Sequence, residues 1–567
     1  MNADRLLAHY ERIADAPDAI ARLRRFILDL AVRGKLVPQD TNDEPASELL
    51  KRIAIERARL VKAGEIKEIK PVAMLAHAGD KVPAGWKFVP LGEVINSHLG
   101  GGTPSKSNFA YWNGDIRWAS VKDVGKQKYL DETIDRITEE GLANSSSNLI
   151  PEGNLIVVTR MGLGQLSINR VPVAINQDLR ALFLSRFVDI EYVYNFFLTY
   201  GMEGTGLTVK GIKIEELLGI PFPLPPLAEQ HRIVAKVDEL MGLCDRLEAA
   251  RAGREAVRDR LAAASLARLN APDPETFQDD AHFALDVLPA LTTRPDQIKQ
   301  LRQTILNLAV RGKLVPQDAG DESASELLKR IAKAKAERKK KTGDARIKIE
   351  PDPTPGDLDI ALPSGWAVQS FENLFLFIDY RGNTPPKTEE GIPLITAKNI
   401  RMGYLNREPR EFISKATFET WMTRGFPEIG DLFFTTEAPL ANVCLNDIEE
   451  PFALAQRAIC FQPYAKIDTK FLMFTLMSDV MQSLIDKHAT GMTAKGIKAA
   501  NLKPLPIPIP PLAEQHRIVA KVDALMALCD RLEASLTATA ATRRRLLDAL
   551  LAEALAPVDI AEMEVAE

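Results

Sequence analysis

The sequence predicts an α+β protein with a pseudo-two-fold internal repeat, in which two α+β modules are held apart by paired long helices of coiled-coil character. Two repeats and one contrast predict it. Pro225 to Ala249, PPLAEQHRIVAKVDELMGLCDRLEA, returns as Pro510 to Ala534, PPLAEQHRIVAKVDALMALCDRLEA, with only Glu239/Ala524 and Gly242/Ala527 differing. Leu23 to Asp40, LRRFILDLAVRGKLVPQD, returns as Leu301 to Asp318, LRQTILNLAVRGKLVPQD. The segments between these frames share only scattered anchors, such as Thr103-Pro104/Thr384-Pro385, Lys122/Lys398 and Gln177/Gln456. One frame therefore presents two modules with different surfaces.

In chain order, Leu23, Ile27 and Leu30 form an apolar stripe at helical spacing, and Gly34 with Pro38 supplies a natural stop, so a short amphipathic helix is expected. SELLKRIA, at Ser47 to Ala54 and Ser325 to Ala332, reads as a second, capped helix. In the second copy it runs into KAKAERKKK, Lys333 to Lys341, which reads either as a solvated helix or as a phosphate-contacting arm.

The modules open at Pro83-Ala84-Gly85-Trp86 and Pro363-Ser364-Gly365-Trp366. Short apolar runs bounded by Gly, Pro and Asn predict strands at Ile116 to Val124, Leu155 to Thr159 and Val173 to Ile175, then at Pro393 to Ile400, Leu432 to Thr436 and Phe452 to Leu454. Helices follow at Tyr192 to Tyr200 and Phe471 to Met477, then a shared loop, TGLTVKGIK from Thr205 and TGMTAKGIK from Thr490. Each Pro-Pro pair ends a module and suits the first turn of a long helix. Within those helices Ile233, Val237, Leu240, Cys244 and Leu247 (and Ile518, Val522, Leu525, Cys529 and Leu532) fall at alternating steps of four and three. That is the seam of a coiled coil, built to pack on another helix, and each other is the expected partner. The expected division is 1–82, helical repeat and linker; 83–224, first module; 225–362, central helix, second helical repeat and linker; 363–509, second module; 510–567, second long helix.

At 567 residues, 46% hydrophobic and 26% charged, the chain has the composition of a globular, cytoplasmic protein without a membrane span. Cys244 and Cys529 occupy equivalent seam positions and read as small core residues, and the four cysteines lack the spacing of a zinc site. A net charge of −5 argues mildly against a free-standing nucleic-acid binder, so positive charge has to be local or supplied by a partner. There is no Walker lysine loop, no strand-bound GxGxxG and no Asn/Asp-Pro-Pro-Tyr/Phe tetrapeptide of an amino-methyltransferase. His231 and His516, with no second histidine or cysteine nearby, read as hydrogen-bonded or exposed residues rather than ligands. No catalytic and no metal-binding residues are expected.

LAVRGKLVPQD, the Gly-Trp opening, TGxTxKGIK and PPLAEQHRIVAKVD, twice in this order, resemble the specificity subunit of type I restriction-modification systems. The resemblance covers nearly the whole chain. It implies two target recognition domains, here Trp86 to Leu224 and Trp366 to Ile509, joined by antiparallel long helices, each domain reading one half of a split, asymmetric target in double-stranded DNA. It also implies that this chain is non-catalytic and binds no cofactor. Two modification (methyltransferase) subunits with S-adenosylmethionine, and restriction/translocase subunits with ATP and Mg2+, would supply the chemistry. The alternative is a coiled-coil scaffold that recruits proteins without reading DNA.

Neither domain is basic as a whole, but charge is uneven. Gly100 to Leu130 holds five basic residues (Lys106, Arg117, Lys122, Lys126, Lys128) against two acids, and Tyr380 to Arg410 holds six (Arg381, Lys387, Lys398, Arg401, Arg407, Arg410) against three. Both patches surround loops of small residues, GGTPSK at Gly101 to Lys106 and RGNTPPK at Arg381 to Lys387, which read either as plain surface loops or as backbone that approaches phosphate closely. The candidate DNA contacts there are Gly102, Thr103, Ser105, Lys106 and Lys122, and Arg381, Asn383, Thr384, Lys387, Lys398 and Arg401. Lys210, Lys213, Lys495 and Lys498 of the TGxTxKGIK loops suit phosphate contact or a structural turn. Arg160 and Glu437 stand at equivalent points after strands. Arginine favours the guanine edge and glutamate accepts from cytosine N4, so the two would help the domains read different bases, unless they form structural ion pairs.

Overall fold

The computed structural model describes residues 15–76, 82–202, 211–273, 275–348, 351–353, 358, 360–380, 384–491 and 495–555. The chain divides into two compact units, residues 1–254 with 540–567 and residues 255–539. Each unit repeats one plan.

In the first unit the amphipathic helix Ala19–Val32 and the helix Ala46–Lys62 precede the α+β domain. The domain is closed by a two-stranded ribbon, Lys87–Pro90 against Pro221–Leu224, whose prolines are tolerated because only one neighbouring strand has to be paired. A five-stranded sheet runs in the order Ile95–Gly100, Leu179–Leu184, Asn154–Val158, Leu166–Asn169, Tyr129–Leu130. A four-stranded sheet runs Asp135–Ile137, Trp112–Ala119, Val173–Ile175, Asn148–Ile150, with Trp112–Ala119 and Val173–Ile175 parallel. The helix Ile190–Thr199 covers the larger sheet, burying Tyr192, Val193, Phe196 and Phe197.

The second unit repeats the order with its strands grouped differently, including a separate two-stranded pair, Ile400–Arg401 with Tyr404–Leu405. Helices Pro295–Val310 and Ala324–Thr342 lead to a ribbon, Ala367–Ser370 with Pro506–Ile509. A four-stranded sheet follows, ordered Phe375–Asp379, Ala458–Pro463, Leu432–Thr435, Val443–Leu445, and a three-stranded sheet, ordered Phe412–Ile413, Ile392–Ile395, Ala453–Leu454, again with one parallel pair. The expected strand at Ile116 to Val124 ends at Ala119 and that at Pro393 to Ile400 at Ile395. In each case a side-chain-closed turn takes over, Ser120 to Asp123 and Thr396 to Asn399.

The long helices are continuous over Leu227–Asn270 and Leu512–Leu555, 44 residues each. The first seam positions of each helix pack within their own unit. Ile233, Val237 and Cys244 join the core of the first unit together with Ile27, Leu28 and Ala31 of its own amphipathic helix, and Ile518, Val522 and Cys529 do the same beside Ile298 and Ile305 in the second. Leu247 and Leu532, the last seam positions, are exposed. The flanks of this contact are charged: Arg24 donates to Asp245 and Glu248 at 2.6 and 2.7 Å, and Arg302 to Asp530 and Glu533 at 2.7 and 2.9 Å.

The repeated motifs are latches. Glu229 accepts from Trp86 Nε1 (2.8 Å) and Gln39 Nε2 (2.7 Å); Glu514 accepts from Trp366 Nε1 (3.1 Å) and Gln317 Nε2 (2.8 Å). Gln230 and Gln515 accept the backbone N–H of Asp189 and Asp468, and Arg232 and Arg517 pair with Asp43 and Asp321. His231 and His516 are exposed, beside Asp189 and Asp468. Lys333 to Lys341 lies on the Ala324–Thr342 helix. Most of it faces solvent, but Lys335 is buried and donates to Glu372 O and Asn373 Oδ1, so that lysine holds the helix to the second domain and is not part of an arm.

Candidate nucleic-acid interface

The Thr-Pro loops, the turns that carry the shared lysines and the ends of the central strands meet at one edge of each domain. In the first, Thr103 Oγ1 donates to Gln177 Oε1 at 2.5 Å; in the second, Gln456 Nε2 donates to Thr384 Oγ1 at 2.8 Å. The scattered anchors Thr103/Thr384 and Gln177/Gln456 are thus one hydrogen-bonded pair in each domain. The lysine turns are equally matched. Ser120 N and Thr396 N donate to Asp123 Oδ2 (2.9 Å) and Asn399 Oδ1 (3.0 Å), while Lys122 N and Lys398 N donate to Ser120 Oγ and Thr396 Oγ1. Both turns project an exposed lysine.

Gly101 and Gly102 owe their small size to packing rather than to phosphate approach. A Cβ on Gly101 would stand 1.8 Å from Ile175 O and one on Gly102 2.3 Å from Ser146 Oγ. Gly102 N donates to Ile175 O and Gly102 O accepts from Trp118 Nε1 and Ser147 Oγ, so this backbone is engaged inside the domain. Ser105 pairs its hydroxyl with Ser107 and is exposed, as is Lys106.

Thr103, Lys106, Lys122, Phe109, Met161 and Asp178 wall a cleft in the first domain, floored by Trp112 and Trp118. Phe109 is 86% exposed and Met161, at φ 60°, 65% exposed. Neither was a candidate from sequence. Phe109 lies three residues from Lys106, the interleaving of aromatic and base that marks nucleic-acid surfaces, and so had a legible signal.

The local positive charge is thinner than a residue count suggests. Arg117 is paired with Glu132 and Lys128 with Glu191; Lys387 and Lys398 share Glu411, Arg407 pairs with Asp447 and Arg410 with Glu408. Among the described residues Lys106, Lys122, Lys126 and Arg401 make no ion pair. Arg381, Asn383 and Lys210 lie outside the described residues. Lys213 and Lys498 are exposed at the starts of the short helices Ile214–Leu218 and Ala499–Leu502, and Lys495 pairs with Asp486 at 2.7 Å.

Arg160 and Glu437 occupy one structural position. Each bridges to the glycine of the shared loop, Arg160 to Gly211 and Glu437 to Gly496. Each is ion-paired: Arg160 NH1 lies 3.6 Å from Asp178 Oδ1, and Arg457 Nε lies 2.6 Å from Glu437 Oε1. Asp178 and Arg457 are the residues that sequence reasoning missed, because only the fold brings them to this crossing.

The two modules share one scaffold and matched anchors but carry unlike exposed side chains. Residues 83–252 and 363–540 match the type I restriction modification DNA specificity domain. The chain belongs to this family, and is a specificity subunit that recognises DNA target sequences; catalysis lies in partner subunits of the restriction-modification system. It is 30% identical to the EcoEI specificity subunit of Escherichia coli, over 94% of both chains, and 29% identical to the EcoAI specificity subunit of the same organism, over 94% of this chain and 93% of the relative. It is also similar to the solved HsdS subunit of Thermoanaerobacter tengcongensis, at 19% identity and a TM-score of 0.43, over 84% of this chain and 98% of that one. Among the described residues no helix is long and apolar enough to cross a membrane.

Proposed function

We propose that the chain reads a bipartite, asymmetric sequence in double-stranded DNA, residues 83–224 reading one half and residues 363–509 the other, and that it positions two modification subunits and the restriction subunits on that target. The observation that carries this is the pairing of a common frame with divergent edges: the Thr–Gln anchor and the lysine turn recur in both domains, while the side chains around them differ. Common groups suit contacts to the uniform phosphate backbone, and divergent ones suit base edges. On this reading Thr103, Ser105, Lys106, Lys122, Lys213, Thr384, Lys387, Lys398, Arg401, Lys495 and Lys498 position the duplex, and the crossings at Arg160 and Glu437 face bases. S-adenosylmethionine, ATP and Mg2+ belong to the partner subunits.

The test is exchange of residues 83–224 for the corresponding domain of another specificity subunit, followed by methylation sequencing of cells that also carry the partner subunits. One half of the methylated target should change and the other half should stay. A target unchanged in both halves, from an active complex, would refute the reading.

A further inference from the structure

We propose that each recognition domain reads a guanine through a single arginine steadied by a carboxylate, and that the two domains mount this arginine from opposite sides of the same chain crossing: Arg160 in the first, Arg457 in the second. The inference rests on the two-domain reading above and names the residues by which it discriminates one base.

The crossings superimpose bond for bond. Thr159 N and Oγ1 donate to Asp178 O at 2.8 and 3.1 Å, and Thr436 N and Oγ1 donate to Arg457 O at 2.9 and 3.3 Å. Ile212 N donates to Thr159 O at 3.0 Å, and Ile497 N to Thr436 O at 2.9 Å. Position 160 therefore corresponds to 437, and position 178 to 457. At these matched positions the charges are exchanged, Arg–Asp in one domain and Glu–Arg in the other.

The fold accepts the pair in either sense, so it does not dictate which side of the crossing carries the arginine. What both arrangements preserve is a half-exposed guanidinium, 51% for Arg160 and 52% for Arg457, beside a better covered acid, 9% for Asp178 and 40% for Glu437. A guanidinium has five N–H groups in a fixed fork. Arg457 uses Nε on Glu437 and Arg160 points NH1 at Asp178, which leaves donors on each fork for the paired O6 and N7 acceptors of guanine. Asp178 Oδ1 is buried without a hydrogen-bond partner, so closing the 3.6 Å gap would satisfy it as Arg160 is fixed on DNA. The residues just before positions 178 and 457 are the anchors Gln177 and Gln456, which place both crossings beside the Thr-Pro loops. Because the arginine starts from different sides, the guanine it reads occupies a different step in each half-target.

The test uses Arg160→Lys and Arg457→Lys in the full chain with its modification subunits, read by methylation sequencing and by competition between duplexes that differ at one base pair. Lysine keeps the charge but loses the fork. Each variant should relax one guanine position in its own half-target, lowering discrimination there by roughly 5- to 150-fold, with the other half unaffected. Glu437→Gln, which removes the steadying charge, should weaken the same guanine preference as Arg457→Lys while the thermal midpoint is unchanged. A lysine variant that retains full discrimination overturns the proposal. So does one that loses affinity equally for all sequences, the behaviour of a phosphate contact, or one that lowers the melting temperature alone. Each domain decides the matter independently. If the exchange of residues 83–224 changes one half-target but the lysine variants change none, only this inference fails; if the exchange changes nothing, the two-domain reading fails with it.

Discussion

Asp431 is a buried carboxylate at a position the first domain fills with Asn154. Gly153 N donates to Asn169 O and Gly430 N to Asn446 O, so the two sites correspond. Burial pushes the Asp431 carboxyl up to about 6, although Glu428 N and Gln462 Nε2 donate to it. The unfolded chain titrates this group near the usual 3.8, so the native state holds the extra proton between about pH 4 and 6, and stability falls as pH rises through that window. Asp431→Asn should abolish this fall and raise stability at pH 7 by on the order of 2 kcal/mol, measured by denaturant unfolding at pH 4.5 and 7. Equal pH dependence in the two proteins would contradict it. Gly312 sits at φ 64°, and a Cβ there would meet Pro363 Cγ at 2.5 Å. Gly312→Ala should therefore cost at least the ~1–2 kcal/mol of a left-handed residue, with a lower thermal midpoint. Sequence marks that glycine as a helix stop, but its docking against the Pro-Ser-Gly-Trp opening is a long-range fact. The same holds for Arg457: nothing local in its neighbourhood signals Glu437, which the sheet brings to it from 20 residues away.

At the scale of elements, local signals were strong. Periodicity and the Pro-Pro start mark the helix Leu227–Asn270 and its twin, and the apolar runs mark the central strands. The partner of the seam was not legible, because a four-three pattern states that a helix packs on another helix without saying which. Here the amphipathic helix of the same unit takes that place. The long helix carries a further prediction. Its residues up to Arg254 belong to the first compact unit and those from Glu255 to the second, and Ala249 is exposed. Inserting a four-residue Ala/Leu/Glu turn after Ala249 adds about 6 Å and a net turn of about 40°, which nearly restores the helix faces. At ~3.4 Å per base pair, the unread spacer between half-targets should lengthen by one or two base pairs with both half-targets retained. A two-residue insertion turns the faces by about 200° and should abolish activity. An active four-residue variant with its spacer unchanged would show that the helix does not set the distance.

For the whole molecule, charge decides what the chain does alone. The net charge is −5, and within the two patches Arg117, Lys128, Lys387, Lys398, Arg407 and Arg410 all have acidic partners. Non-specific affinity for DNA comes from phosphates neutralised by free cations, and among the described residues of these patches Lys106, Lys122, Lys126 and Arg401 are the ones without an ion pair. Base contacts alone then have to overcome the repulsion between an acidic protein and a polyanion. The purified chain should therefore bind even its own target no more tightly than about the micromolar range at physiological salt, where non-specific complexes lie. With the modification subunits present, affinity should rise to about 10 nM or better, the range of specific complexes, and log K should fall more steeply with log salt because more phosphates are neutralised. Titration of a labelled duplex at several salt concentrations, with and without those subunits, measures both quantities. Nanomolar, sequence-selective binding by the isolated chain at 150 mM salt would show that exposed residues such as Lys106, Lys122 and Arg401 suffice, and that the partner subunits contribute chemistry rather than charge.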